Sequence, residues 1–287
     1  MNLANYTIAL QHFDETWQAI HEAQARKLDD FILHNVLYAL AFLGADSAAM
    51  AEQQQWFAGK REENFGLALA SDTEAYIGHL RKSRELTKRA VDLAIRGDSK
   101  ENGAIWQANA ALQEAAYGNA VEARQMAAAA LKLAPASQGV ESEAALAFAM
   151  AGDTGRAESL AQDLGKRFPL DTQVQSLWLS AIQAQLALDR KNPTAGLNAL
   201  QTAHPSSWGK FCSSTIFPAS ILCTYAERHT WQLGTGQRPR PSFRRFSTTA
   251  ALFGTAGRER WRIWEWRARM PCSQEVRREA MPIAVVR

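Results

Sequence analysis

The chain has 287 residues, of which 47% are hydrophobic, and a net charge of +3. That size and apolar content suit one large or two ordinary folded domains and exclude wholesale disorder. The mean charge hides a break, because residues 1–203 carry 18 Lys/Arg against 24 Asp/Glu whereas residues 204–287 carry 14 against 5 and no Asp.

From the N-terminus to residue 203 the sequence predicts helix almost throughout. Ala is frequent, Gly and Pro are sparse, and runs of β-branched residues are missing. Brief Gly, Asp or Pro signals divide this stretch into short helices. The first pair covers Met1–Leu10 and Phe13–Arg26, so its hairpin is cut short. Five further pairs are expected at 30–58, 64–95, 104–133, 138–167 and 172–203. The short connections imply antiparallel neighbours. No signal peptide opens the chain, since the first residues lack a basic start and an apolar run. The most apolar stretch, Phe31 to Ala45, contains His34 and Asn35 and is too short for a membrane span. The expected setting is therefore the cytoplasm, without a membrane partner.

A regular spacing runs through the helices. Gly118 matches Gly152, Asn119 matches Asp153, Ala123 matches Ala157 and Pro135 matches Pro169, each at an offset of 34. Gly44 and Gly78 are also 34 apart, with Ala49 and Ser83 five residues after each. The gap between Gly78 and Gly118 is 40, and the excess is assigned to a longer loop around Gly97–Gly103. Gly at the turn supplies a left-handed backbone where the first helix stops. The small residue five positions on lets the two helices approach closely. Pro ends the second helix because it cannot donate the next backbone bond. Asp171 and Asn192 are read as N-caps of the helices that follow them.

A 34-residue unit of helix, Gly-polar turn, helix and Pro resembles the tetratricopeptide repeat. The resemblance covers about 200 residues and departs from the family in its second helices, where Ala127 and Ala161 replace the aromatic residue. It implies an all-α fold, an α-solenoid of stacked antiparallel hairpins with an irregular C-terminal segment. It also implies that the first helices line a groove for an extended peptide or a partner helix. Position in the repeat then places His34, Asn35, Tyr38, Asp72 and Asn109 toward that groove. Tyr38 would supply contact area, and the polar residues would hold backbone amides. The paired lysines and asparagines that clamp a peptide carboxylate in chaperone-binding members are not recognisable.

Residues 204–287 defeat this reading. They hold all three cysteines, five of nine Trp and six of nine Pro. Cys212, Cys223 and Cys272 are odd in number and loosely spaced, so neither a disulfide framework nor a zinc module is supported. Arg-Pro-Arg-Pro at 238–241 and the run Trp261 to Trp266 suit a basic aromatic tail on nucleic acid, or a membrane-surface segment. A third reading needs only the genetic code. Translation of GC-rich DNA one base out of register turns hidden Ala codons into Arg or Pro, and hidden Leu, Val or Met codons into Trp. This frameshift reading is preferred, because Trp261, Trp264 and Trp266 fall where a restored repeat wants Leu or Val. Nucleic acid is then not the expected partner.

No catalytic centre emerges. The six histidines form no HExxH pattern, and neither GxxxxGK[ST] nor GxSxG occurs. Asp189-Arg-Lys-Asn192 resembles a kinase catalytic loop in outline only and is read as an inter-helix turn. The expectation is a non-enzymatic protein-interaction scaffold without metal or cofactor. Such Ala-rich arrays are similar to the docking regions of bacterial multidomain signalling proteins, including serine/threonine kinases and winged-helix regulators. Met1 falls inside a truncated hairpin, which implies a fragment of a larger protein. The alternatives are the regulatory part of a kinase lacking its catalytic domain, and nucleic-acid binding through the basic tail.

Overall fold

The computed structural model describes residues 2–9 and 12–201. Expectations about 204–287, including the three cysteines and the frameshift, lie outside the described residues. The described chain is all helical and forms an α-solenoid of six stacked hairpins. These are α1 (Asn2–Ala9) with α2 (Phe13–Ala25), α3 (Phe31–Leu43) with α4 (Ser47–Phe57), and α5 (Glu63–Tyr76) with α6 (Leu80–Arg96). They continue with α7 (Lys100–Ala116) and α8 (Ala120–Leu133), then α9 (Gln138–Met150) and α10 (Thr154–Arg167). A wide π-type turn, Val174–Trp178, runs into α11 (Leu179–Asp189), which pairs with α12 (Pro193–Gln201).

One backbone device sets this order. Seven turns end their helix with the same pair of bonds, in which a left-handed residue and its successor donate back into the last helical turn. At the third hairpin, Gly78 N donates to Ala75 O at 2.9 Å and His79 N to Glu74 O at 2.8 Å. Gly118 and Gly152 hold the equivalent place, with φ of 82° and 76°. The remaining four turns put Lys27, Ala45, Asp98 and Lys191 there, with φ between 54° and 57°. The reading of Gly44 is corrected by this register: Gly44 is right-handed at φ −75°, and Ala45 carries the left-handed conformation. The turn follows from where the helix stops, and Gly44 stands one residue too early to serve it.

The same shift corrects Ala49. Ser83, Ala123 and Ala157 lie five residues after the left-handed position and are 3%, 0% and 0% exposed. Ala49 lies only four after Ala45 and is half-buried, its N–H donating to the Asp46 cap. The loop assigned to Gly97–Gly103 is also corrected. Only Gly97 to Ser99 connect α6 to α7, and both of these helices reach 17 residues. The extra residues lengthen these two helices, which belong to neighbouring hairpins. Gly103 sits inside α7 facing α6, and a Cβ there would lie 3.5 Å from the Ala94 Cβ, an ordinary van der Waals contact. Ala45→Gly is expected to raise stability by about 1 kcal/mol and Gly118→Ala to lower it by about 1 kcal/mol. Urea denaturation of both variants checks this; a gain for Gly118→Ala would contradict the register.

Stacking follows from side-chain size. First helices pack on first helices (α1 on α3, α3 on α5, α7 on α9, α9 on α11), and each second helix from α4 to α10 leans on the next hairpin's first. Helix α9 is covered on all sides, with every residue from Val140 to Ala149 buried. Its four alanines leave room for this, and Leu146 and Phe148 fill the gaps in the cluster with Leu177, Ile182 and Leu186. Pro135 and Pro169 stand just beyond α8 and α10, where their missing N–H costs no helical bond. Asp171 accepts from Val174 N at 2.9 Å and Asn192 from Ala195 N at 3.1 Å, so both act as N-caps.

Candidate functional site

Unsatisfied polarity is not spread evenly over this solenoid. Among the described residues, seven buried side-chain atoms lack a hydrogen-bond partner, and six of them lie on first helices. They are Asn35 Oδ1 on α3, both amide atoms of Asn109 on α7, Ser142 Oγ and Glu143 Oε2 on α9, and Gln185 Oε1 on α11. The seventh is Trp17 Nε1 on α2. Buried polar atoms are normally paired, because an unpaired one forfeits its hydration without replacement.

Two of these residues belong to one cluster. A hydrogen-bond chain crosses α5, α6 and α7, from Thr87 through Ser71 and Ser83 to Gln113. Ser71 Oγ lies 2.7 Å from Thr87 Oγ1 and 2.9 Å from Ser83 Oγ. Ser83 Oγ donates to Gln113 Oε1 at 3.1 Å, and Gln113 Nε2 donates to Asp72 Oδ1 at 2.7 Å. The chain fixes the Gln113 amide and so presents one Asp72 oxygen with a donor. Asn109 lies one helical turn before Gln113, on the same face of α7. Glu143 is 34 residues after Asn109, at the equivalent place on α9.

The two carboxyls are electrostatically alike. Burial strips hydration from Asp72 and pushes its pKa up to about 7, against the opposing bond from Gln113. Burial also holds Glu143 well above the ordinary glutamate value, and the nearby Asp72 charge raises it further. No cation pairs with either among the described residues. Other glutamates facing into these helices are neutralised: Arg84 grips Glu114 through Nε at 2.6 Å and Nη2 at 2.8 Å, and Arg167 pairs with Glu141.

The expected groove residues therefore divide. Asp72 accepts from Gln113, Asn109 lies one turn before Gln113 on α7, and Asn35 keeps an unpaired oxygen on α3. His34 is corrected, because its ring is already engaged. It stacks on Trp56 at 3.8 Å, and its nitrogens meet Gln53 Oε1 and Asp29 Oδ1, each at 2.6 Å. Trp56 donates to the other Asp29 oxygen and carries Lys60 over its face, so the group ties α4 back to the α3 entry. Tyr38 is corrected too: it is 3% exposed and its hydroxyl meets Thr73 Oγ1 at 2.8 Å, which binds α3 to α5. A buried ring between hairpins has no area to offer a partner. Gln113 and Glu143 were not among the expected residues. The offset of 34 from Asn109 to Glu143 was the signal that could have found the second.

No family model, no curated protein and no solved structure matches this chain. Among the described residues no helix is long and apolar enough to cross a membrane, and no group of three or more His, Cys, Asp or Glu could hold a metal ion.

Proposed function

We propose that this chain is a protein-interaction scaffold that holds a peptide or partner helix along its row of first helices, as tetratricopeptide arrays do. One observation carries the reading. First helices pack on first helices along the stack (α1 on α3, α3 on α5, α7 on α9, α9 on α11), which lines them up in one row. Partly exposed polar side chains on that row, such as Asn35 on α3 and Asp72 on α5, can satisfy the amides and carbonyls of an extended segment. The second helices instead bury small residues inward and turn charges outward, as α6 does with Ser83, Thr87, Ala90 and Ala94 facing in. The role needs no reacting group, and rigid stacking supplies the preorganisation that makes peptide binding affordable.

The test is selection of peptides from a random display library on the full chain. Enriched peptides are expected, with binding lost in Asp72→Arg, which extends a long side chain from α5, and kept in Glu85→Arg on the exposed side of α6. Binding that survives the first change and fails with the second would overturn the assignment of the binding face.

A further inference from the structure

We infer that the exposed face of α6 docks on the exposed face of α2 in a second copy of this chain, a row of basic side chains meeting a row of acidic ones. The contact lies away from the row of first helices and does not rest on the groove reading.

Charge is spread unevenly over the solenoid. Helix α6 alone holds six of the 18 Lys/Arg in residues 1–203 and only two of their 24 Asp/Glu. All eight of these side chains are exposed. Three of the cations are engaged within the chain: Lys82 meets Glu74 at 2.7 Å, Arg84 grips Glu114, and Arg89 lies 3.9 Å from Glu63. Arg81, Lys88 and Arg96 form no ion pair among the described residues. Helix α2 is the reverse. It carries Asp14, Glu15 and Glu22, all exposed, and no Lys or Arg. Glu15 meets His12 at 3.2 Å, and Glu22 accepts from the neutral Gln18 amide at 3.3 Å.

Spacing makes the two faces complementary. Arg81 and Lys88 are seven residues apart, as are Glu15 and Glu22. Seven residues advance a helix by about 10.5 Å and leave it about 20° short of two full turns, so each pair stands in one row along its helix. Two such helices laid antiparallel bring Glu22 opposite Arg81 and Glu15 opposite Lys88 together. One chain does not make this contact with itself: α2 and α6 belong to the first and third hairpins, and no ion pair joins them among the described residues. Nucleic acid fits α6 less well. Glu85 and Asp92 stand between the Arg81–Lys88 row and the row of Lys82, Arg89 and Arg96, where a continuous phosphate backbone would run over them. Two carboxylates spaced as on α2 meet one basic row alone.

Analytical ultracentrifugation of the full chain tests the contact. Exposed ion pairs are individually weak and screened by salt, so the self-association constant is expected to fall at least about tenfold between roughly 50 and 500 mM salt. At the lower salt Lys88→Glu and Glu22→Lys are each expected to lower it at least about tenfold, because each replaces attraction with repulsion. Both side chains are exposed, so circular dichroism is expected to show unchanged folds. Mixing the two variants, each of which keeps one face intact, is expected to restore pairing, and so is placing both changes in one chain. A chain that is monomeric at the lower salt would overturn the contact. Self-association untouched by either variant would place it on other surfaces and overturn it as well, as would a loss that neither the mixture nor the double variant restores. A monomeric chain that retards a labelled DNA duplex, and fails to with Lys88→Glu, would assign α6 to nucleic acid instead.

Discussion

At pH 8 the Asp72→Asn variant is expected to be more stable than the parent chain, and the difference is expected to shrink as pH falls from 8 to 5. Asp72 titrates at about 7 in the folded chain against an ordinary value of 3.8. Between those values the folded state keeps a proton that the unfolded chain has released, so stability falls as pH rises through this window and is lowest above it. The displacement corresponds to roughly 4 kcal/mol at 1.36 kcal/mol per unit, reduced as a half-buried group relaxes toward water. Asparagine keeps the oxygen that accepts from Gln113 and cannot ionise. Glu143→Gln is expected to act in the same direction, since Glu143 is also held above its ordinary value. Thermal melts at pH 5, 6.5 and 8 check this. A parent chain more stable at pH 8 than at pH 5 would show that cations already neutralise these carboxyls.

Overfilling the contacts between helices is expected to cost about 1–3 kcal/mol at each of two places. A Cβ on Gly66 in α5 would lie 2.7 Å from the Phe57 Cβ and 2.8 Å from its Cγ. Phe57 is 1% exposed, and its Cβ is anchored to the α4 backbone, so the ring cannot swing clear. Helix propensity favours Gly66→Ala by up to about 1 kcal/mol, and the clash is expected to outweigh it. Ala157→Leu in α10 adds bulk where the side chain is 0% exposed and lies in the cluster with Ala127 and Leu146. Denaturant midpoints of both variants should fall with unchanged slope. An unshifted midpoint for Ala157→Leu would mean that α9 and α10 do not meet as described.

The sequence carried the hairpins well because helix ends leave chemical marks. Gly78, Gly118 and Gly152 adopt the conformation their position suggested, and Asp171 and Asn192 cap as expected. Gly44 misled because a glycine marks permission for a left-handed residue and does not place it; the stop of α3 placed it on Ala45. The six extra residues before Gly118 misled because length alone does not say whether a loop or two helices absorb it. Site residues were only partly legible. Repeat position shows which helix a side chain belongs to, and so put Asp72 on α5 and Asn109 on α7. It does not show local partners, and His34 and Tyr38 had found theirs in Trp56, Asp29 and Thr73. Glu143 looked like one of many solvated acids until α7 and α11 closed around α9.

The direct measurement of the binding face is photo-crosslinking. A display-selected peptide with a diazirine at its centre is irradiated on the full chain, and the labelled residues are located by mass spectrometry. Labels are predicted in Phe31–Leu43, Glu63–Tyr76 and Lys100–Ala116. Labels concentrated on Ser47–Phe57, Leu80–Arg96, Ala120–Leu133 or Thr154–Arg167 would contradict the account.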